Sequence, residues 1–336
     1  MTTGDRAAAA GVHDASPSDL ASGAVALAEI ASASPRAAAT LPPSAEAAHI
    51  SALSPSPAQP AREIAYRHTV AVRLTHWLNA LLLALLLMSG LRIFNYHPAL
   101  YWGNDGHRGM PSVFSIQALE DIETDDPVGV MSIAGKNFIT TGWLGVTYGD
   151  DGEPIGGAFP NWITLPGGPG LALARDWHFA LAWLFVINGA LYLLFGLVGG
   201  HFWRDLLPRR AELAPRHLLQ DIWNHLRLRR PRGEAARRYN VLQKLTYIVV
   251  VFVLLPLMVL TGLTMSPAVT AVVPFLFDLF GGRQSARTIH FIVANLLVLF
   301  VLVHVIQVIL AGPFNEMRSM ITGWFVIRPA LPGERK

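Results

Sequence analysis

The chain contains four long apolar stretches without a charged side chain, and each is bounded by an ionisable residue. They cover residues 74–91, 177–203, 245–277 and 288–315. Each reaches the roughly 18 to 20 residues that a helix needs to cross the hydrocarbon core of a membrane. Because unpaired backbone groups are costly in lipid, such stretches are expected to be helical. The pattern predicts an all-α integral membrane protein, a bundle of four transmembrane helices with spans at about residues 70–94, 175–199, 241–265 and 287–311.

The composition limits what the chain can bind. Of its residues, 52% are hydrophobic and only 15% are charged, whereas soluble domains carry about 25% charged residues. No cysteine occurs, which excludes disulfides, iron–sulfur clusters ligated by this chain and covalent c-type haem attachment. A redox centre would need histidine, methionine or carboxylate ligands, and 12 histidines are available.

The polar segments between the spans indicate the domain organisation. Residues 1–62 are rich in Ala, Ser and Pro and are expected to form a disordered cytoplasmic tail, and residues 328–336 are expected to form a short C-terminal tail. The four-helix domain would occupy residues 63–327. It carries an acidic insertion at 95–173, with two basic and nine acidic side chains, and an arginine-rich loop at 200–240.

The arginine-rich loop predicts the orientation in the membrane. Residues 199–244 carry eleven basic and four acidic side chains, and basic residues close to span ends stay on the cytoplasmic side. Both termini would then be cytoplasmic and segment 95–173 periplasmic, in a multi-pass protein of a bacterial inner membrane. The arginines are expected to contact lipid headgroups, and no nucleic-acid partner is indicated.

Four histidines lie within the predicted spans, where an ionisable side chain is costly and usually marks a functional site. His290 and His304 are 14 residues apart in the fourth span, which places them on one helix face and roughly 21 Å apart along the axis. His76 lies early in the first span, and His178 lies early in the second, which runs in the opposite direction. Equal depth in the membrane therefore pairs His178 with His290 and His76 with His304.

Two histidine pairs in a cysteine-free chain predict two stacked b-type haems, each with two axial imidazoles. The pairs are too far apart to gather three or four ligands around one zinc ion. Gly90 and Gly189 lie near the faces of the ligand histidines and would give the porphyrin room, although glycine is also common where membrane helices pack. Hydrogen-bonded core histidines without a cofactor are the alternative.

A quinone site is expected on the cytoplasmic side, beside the haem of His76 and His304. A quinone needs an apolar slot and polar groups at its carbonyls. Three candidates lie at the start of the third span, Asn240, Gln243 and Lys244. Two more, Asn79 and Gln307, each lie three residues after a ligand histidine of that haem. Helix capping by Asn240 and headgroup contact by Lys244 are the alternatives.

Local sequence strings around these residues resemble a known family. They are Arg73-Leu-Thr-His76-Trp77, Arg175-Asp-Trp-His178-Phe179, Tyr239-Asn-Val-Leu-Gln-Lys244 and Gly282-Arg-Gln-Ser-Ala-Arg-Thr-Ile-His290-Phe291. In this order, over residues 64–325, the chain resembles the bacterial cytochrome b561 family, whose relatives include cytochrome b subunits of nickel hydrogenases, formate dehydrogenases and thiosulfate reductases. The long tail and the segment between the first two spans depart from its simplest members.

The resemblance implies electron transfer between a membrane quinone and a redox partner outside the cytoplasm. Segment 95–173 looks like the branch that works with periplasmic molybdopterin oxidoreductases, and its aromatic residues suit a docking surface for such a redox subunit. Two alternatives stay open. One is a self-contained quinol oxidoreductase that reduces a small oxidant, and the other is a haem-free transporter or anchor that uses the histidines as a proton relay.

Overall fold

The computed structural model describes residues 63–107, 109–121, 126–167, 170–200, 202–227 and 240–327. Both expected tails, 1–62 and 328–336, lie outside these residues, as does the arginine-rich stretch 228–239. The helices are α1 (Val70–Tyr96), α2 (Leu171–Val198), α3 (Pro215–Leu226), α4 (Val241–Met265), α5 (Pro267–Val272), α6 (Phe275–Phe280), α7 (Arg283–Ala311) and α8 (Pro313–Thr322). Four of them, α1, α2, α4 and α7, are long and apolar enough to cross a membrane. The prediction of a mostly helical membrane protein with four spans is therefore confirmed for the described part of the chain.

The third span, α4, is interrupted near its middle. α-Helical stretches at Val241–Val249 and Leu255–Met265 flank a π-helical segment, Val250–Leu254. The interruption comes just before Pro256, which lacks an N–H donor and whose ring crowds the carbonyl four residues earlier. A widened turn accommodates that ring without ending the helix.

The four spans pack as two neighbouring pairs. α1 lies against α2, and α4 lies against α7. Leu82, Leu181 and Phe185 form a buried cluster in the first pair, and Val250, Val293 and Leu297 form one in the second. Many other leucines and valines of these helices are exposed on the outside of the bundle, as expected for surfaces that face lipid.

The all-α expectation is wrong for the segment between the first two spans, which folds as β-structure. The strands of the described chain are β1 (Glu63–Tyr66), β2 (Ala99–Leu100), β3 (Phe114–Glu120), β4 (Pro127–Ile133), β5 (Lys136–Ile139), β6 (Gly145–Tyr148), β7 (Pro154–Gly157) and β8 (Trp324–Ile327). β2 to β5 form one antiparallel sheet in chain order, and β6 pairs with β7. Ala134 and Gly135, both with positive φ, make the tight turn between β4 and β5.

The sheet of β2 to β5 is fixed to one end of the bundle, which we call the insertion side. Thr288 at the start of α7 donates to the Tyr101 carbonyl at 2.7 Å, and Ser285 accepts from the Gly103 N–H at 2.7 Å. Arg287 donates to two further carbonyls of the same segment. The aromatic rings packed beneath the sheet are Phe94, Phe114, Phe159 and Phe291. The insertion is therefore a structured cap on the bundle.

The opposite end, which we call the tail side, holds the start of α1 and the end of α7. There β1 pairs with β8 in antiparallel register. Trp77 Nε1 donates to the Met320 carbonyl at 3.0 Å, and Arg67 Nη1 lies 3.5 Å from the Glu316 carboxylate. These contacts hold α8 across the start of α1.

Candidate functional site

Four histidine side chains meet in two pairs, one toward each side of the bundle. On the tail side, the ring centroids of His76 and His304 are 6.3 Å apart. On the insertion side, those of His178 and His290 are 6.4 Å apart. These are the two pairs that equal depth in the membrane led us to expect.

The spacing within each pair suits one metal ion held between two imidazoles. A metal lies about 2 Å from an imidazole nitrogen, and the ring centroid lies about 1 Å further, so two rings on opposite sides of one ion have centroids roughly 6 Å apart. Both pairs match this distance. Two axial imidazoles leave no open position on a haem iron, which is the arrangement of low-spin b-type haem. No group of three or more metal-ligating side chains occurs elsewhere among the described residues.

A cavity of about 2860 Å³ runs between the helices, and all four histidines line it. Pockets for single small molecules measure roughly 300–1000 Å³, so this cavity has room for more than one large ligand. Its lining extends from Leu100 on the insertion side to Glu316 on the tail side. The residues present therefore fit two haem groups stacked along the bundle.

Glycines lie against the rings of the insertion-side pair. A Cβ on Gly90 would lie 3.4 Å from His178 Cε1, and a Cβ on Gly262 would lie 3.6 Å from His290 Cε1. Gly189, which also lines the cavity, would meet nothing within 4 Å. Gly90 thus gives room to a ligand imidazole, whereas Gly189 faces open space where a porphyrin would fit.

The same two rings are held by hydroxyl groups. Ser89 Oγ lies 2.9 Å from His178 Nδ1, and Thr261 Oγ1 lies 2.9 Å from His290 Nδ1. On the tail side, His76 Nδ1 is buried without a hydrogen-bond partner. The two pairs therefore share a spacing but differ in what surrounds their outer ring nitrogens.

Sequence reasoning missed Ser89, Thr261 and Gly262. A signal was present, because Ser89-Gly90 and Thr261-Gly262 are both hydroxyl–glycine dipeptides near the insertion-side end of a span. Each dipeptide faces the ligand histidine of the neighbouring helix: the hydroxyl contacts Nδ1 and the glycine contacts Cε1. The two helix pairs thus repeat one local arrangement.

The expected quinone residues lie toward the tail side and differ in the hydrogen bonds that they already make within the protein. Asn79 Oδ1 accepts a hydrogen bond from Asn188 at 2.7 Å. In a capping box at the start of α4, the side-chain oxygens of Asn240 and Gln243 each accept a hydrogen bond from the backbone N–H of the other residue. Gln307 lines the cavity and makes no hydrogen bond to another described residue. Among the described residues, Gln307 is thus the one of these four cavity-lining amides whose side-chain oxygen accepts no hydrogen bond, and the side-chain NH2 groups of all four donate to no other described residue.

Lys244 faces a different partner. Its Nζ lies 2.8 and 3.1 Å from the two carboxylate oxygens of Glu212, and Lys244 is 6% exposed. Glu212 lines the cavity, whereas Lys244 does not. The ammonium is therefore satisfied within the protein, and a role for Lys244 at a quinone stays a prediction.

A further acid lies at the tail side of the cavity. Glu316 lines the cavity, as does Arg67, whose Nη1 is 3.5 Å from the Glu316 carboxylate. Burial raises the pKa of the Glu316 carboxyl, and the Arg67 guanidinium offsets only part of that rise. Glu316 therefore exchanges its proton at a higher pH than an exposed glutamate would.

Two comparisons with known proteins give a match. The family model described as prokaryotic cytochrome b561 matches residues 67–323. The chain is 35% identical over 164 residues to a protein of Azospira oryzae named "Putative protein-methionine-sulfoxide reductase subunit YedZ1". That match covers 49% of this chain and 77% of the relative. No solved structure matches the chain.

Proposed function

Since the chain belongs to the prokaryotic cytochrome b561 family, and is thus an integral membrane haem protein, we propose that it carries electrons between membrane quinone and a redox subunit outside the cytoplasm. Two b-type haems would bridge the membrane. His76 and His304 would hold the haem on the tail side, and His178 and His290 the one on the insertion side. When bound, each haem supplies a one-electron couple between ferric and ferrous iron.

The observation that carries this proposal is the pair of matching histidine spacings, 6.3 and 6.4 Å, at opposite ends of one cavity. Two sites of this kind give an electron a stepwise route along the bundle. With two histidines of this chain holding each haem, neither haem would have a free position for a small oxidant. This favours electron transfer over a self-contained oxidoreductase that reduces a small molecule at iron.

We place the quinone on the tail side of the cavity, beside the haem of His76 and His304. The free amide of Gln307, three residues after His304, can donate to a quinone carbonyl. Oxidation of one quinol releases two electrons and two protons. Two bound haems would supply two one-electron acceptors. Glu316 would accept the two protons one after the other and release each to solvent, since its carboxyl lies in the cavity, has a raised pKa and is partly exposed.

The insertion side would face the periplasm and bind the redox partner. Trp143 and Trp162 are each 82% exposed there, and large aromatic residues are enriched where proteins meet. Segment 95–173 carries nine acidic and two basic residues, which suits a partner with a basic docking face. A molybdopterin-type oxidoreductase fits the resemblance, and a subunit that reduces methionine sulfoxide in proteins fits the name of the Azospira oryzae relative.

The proposal is tested by mixing the purified, haem-loaded protein with a short-chain quinol in anaerobic detergent solution. We expect the absorption bands of both haems to become reduced, and Gln307→Leu to slow that reduction while leaving the oxidised spectrum unchanged. A folded protein that binds no haem would overturn the proposal, as would haems that dithionite reduces but that neither ubiquinol nor menaquinol analogues reduce.

A further inference from the structure

We propose that Ser89 and Thr261 make the insertion-side haem the lower-potential haem of the two. The inference rests on the proposed two-haem function and deepens it, because it states where an electron resides between the quinone and the partner. It assigns two residues that are not ligands a tuning role at the ligands His178 and His290.

Ligation fixes the direction of the two hydrogen bonds, because an imidazole that binds a metal through Nε2 carries its proton on Nδ1. A hydroxyl has one proton, and Ser89 Oγ donates it to the Leu85 carbonyl at 2.9 Å. Thr261 Oγ1 likewise donates to the Leu257 carbonyl at 2.7 Å. Each oxygen can then only accept from the histidine ring 2.9 Å away.

With iron bound at Nε2, Nδ1 would carry the proton in His178 and in His290, and the two hydroxyl oxygens would accept it. The other ring nitrogen, Nε2, keeps its lone pair for the metal. The hydroxyl groups therefore give the Nδ1 proton of each ligand histidine an acceptor. The glycine that follows each hydroxyl residue leaves the ring its space, since a Cβ at Gly90 or Gly262 would already be in van der Waals contact with it.

The tail-side pair lacks this arrangement. His76 Nδ1 is buried with no hydrogen-bond partner, and neither His76 nor His304 hydrogen-bonds to any other described residue. Phe300 stacks on His304, with ring centroids 5.8 Å apart, and offers no acceptor. The difference between the pairs is thus one of chemistry around Nδ1.

A hydrogen-bond acceptor at Nδ1–H makes an imidazole a stronger electron donor to its metal. Stronger donation stabilises ferric iron more than ferrous iron, and the reduction potential falls. The insertion-side haem has two such acceptors and the tail-side haem has none among the described residues. At equilibrium, an electron shared between the haems would therefore reside on the tail side, beside the quinone, until the partner withdraws it through the insertion-side haem.

The test is a potentiometric titration of the intact, two-haem protein followed by visible absorption. His304→Ala, which removes a tail-side ligand, identifies the bands of the insertion-side haem. We expect that haem to titrate at the lower potential in the unmodified protein. Thr261→Val and Ser89→Ala should each raise the reduction potential of the insertion-side haem by roughly 30–60 mV. At 59 mV per tenfold, this changes the equilibrium constant for the distribution of an electron between the two haems three- to tenfold.

Matched variants separate tuning from general structural damage. Thr261→Ser keeps the hydroxyl and should keep the original potential. Thr264→Val removes a fully buried hydroxyl of the same helix that donates to the Leu260 carbonyl and makes no hydrogen bond to a described histidine, so neither haem should shift. The low-spin ferric electron paramagnetic resonance signal of one haem should change in Thr261→Val and stay unchanged in Thr264→Val.

An insertion-side haem of higher potential, or equal shifts of both haems in Thr261→Val, would overturn the inference. If Thr261→Val fails to take up haem, Ser89→Ala decides in the same titration. An unmodified protein with fewer than two haems would instead overturn the proposed function. The haem count of each sample therefore distinguishes the two failures.

Discussion

Lys244 Nζ lies 2.8 Å from the carboxylate of Glu212, although Lys244 is 6% exposed and begins a membrane span. Glu212 belongs to the connection between α2 and α4, so the ion pair ties that connection to the start of the third span. A buried lysine without its carboxylate would be an uncompensated charge. The pair therefore holds the tail side together rather than leaving its cation free for a lipid headgroup.

Removing the acid should destabilise the protein. We expect Glu212→Gln to lower the free energy of unfolding by roughly 1–3 kcal/mol, because Lys244 then stays buried without a charge partner. The double variant Glu212→Gln with Lys244→Met should recover part of that loss, since no buried charge remains. Thermal unfolding followed by circular dichroism measures both, and equal losses in the two variants would contradict the role given to the pair.

The same pair predicts a pH dependence. Burial alone would raise the pKa of Glu212, but hydrogen bonds from Lys244 and from the Arg209 backbone bring it below the ordinary value of 4.5. A carboxyl with a lowered folded-state pKa stabilises the fold above pH 4.5, and this contribution is lost as the pH falls below that value. Below pH 4.5, the melting temperature of the unmodified protein should fall more steeply with decreasing pH than that of Glu212→Gln. Parallel melting curves for the two proteins would contradict this assignment.

The quinone site predicts a difference between two amides of one helix. Gln307→Leu should raise the quinol concentration needed for half-maximal haem reduction several-fold, because a donor to the quinone carbonyl is lost. Asn295→Leu is the control, since Asn295 also lines the cavity but donates to the Phe291 carbonyl of its own helix. Stopped-flow reduction by a quinol analogue measures both. Equal effects of the two substitutions would place the quinone elsewhere.

The packing of Gly262 against His290 limits the size of the side chain that position 262 can hold. Gly262→Ala should be tolerated, because a Cβ 3.6 Å from the ring makes an ordinary contact. Gly262→Leu should displace the imidazole and lower haem content, with the loss confined to the insertion-side haem. The pyridine haemochrome assay gives the count, and full haem content in Gly262→Leu would show that the ring does not need this space.

The orientation can be tested by labelling, because the chain has no cysteine of its own. Asn137 on β5 and Arg216 on α3 are both exposed. The reagent is a maleimide that passes the outer membrane of whole cells but not the inner membrane. It should label Asn137→Cys in intact cells, and Arg216→Cys only after the inner membrane has been opened. The reverse pattern would invert the topology while leaving the histidine pairs intact.

The spans and the histidine pairs could be predicted from the sequence because both depend only on positions along the chain. A charge-free length indicates a span, and the position of His76 or His304 along its span indicates depth. Which way a helix is rotated is not visible in this way, so the contact of Ser89 with His178 was not predicted. The pair of Lys244 and Glu212 was missed for a similar reason, since it depends on the path of a loop.

The β-structure of the insertion was missed because four of its six described strands have four residues or fewer. β3 and β4, the longest strands of the described chain, have seven residues each, and their period-two pattern is weak beside four apolar spans. Gly145, with φ 82°, illustrates the packing that only the structure shows. A Cβ there would lie 2.6 Å from the Gln117 carbonyl oxygen, so glycine lets β6 approach β3.

The central claim is that two histidine pairs hold two haems, and the haem count of one substitution tests it most directly. The unmodified protein should contain about two haems per chain by the pyridine haemochrome assay. His304→Ala should contain about one, and the remaining haem, held by His178 and His290, should keep its low-spin spectrum. An unmodified protein with a single haem, or a folded His304→Ala variant that keeps both haems, would contradict the account.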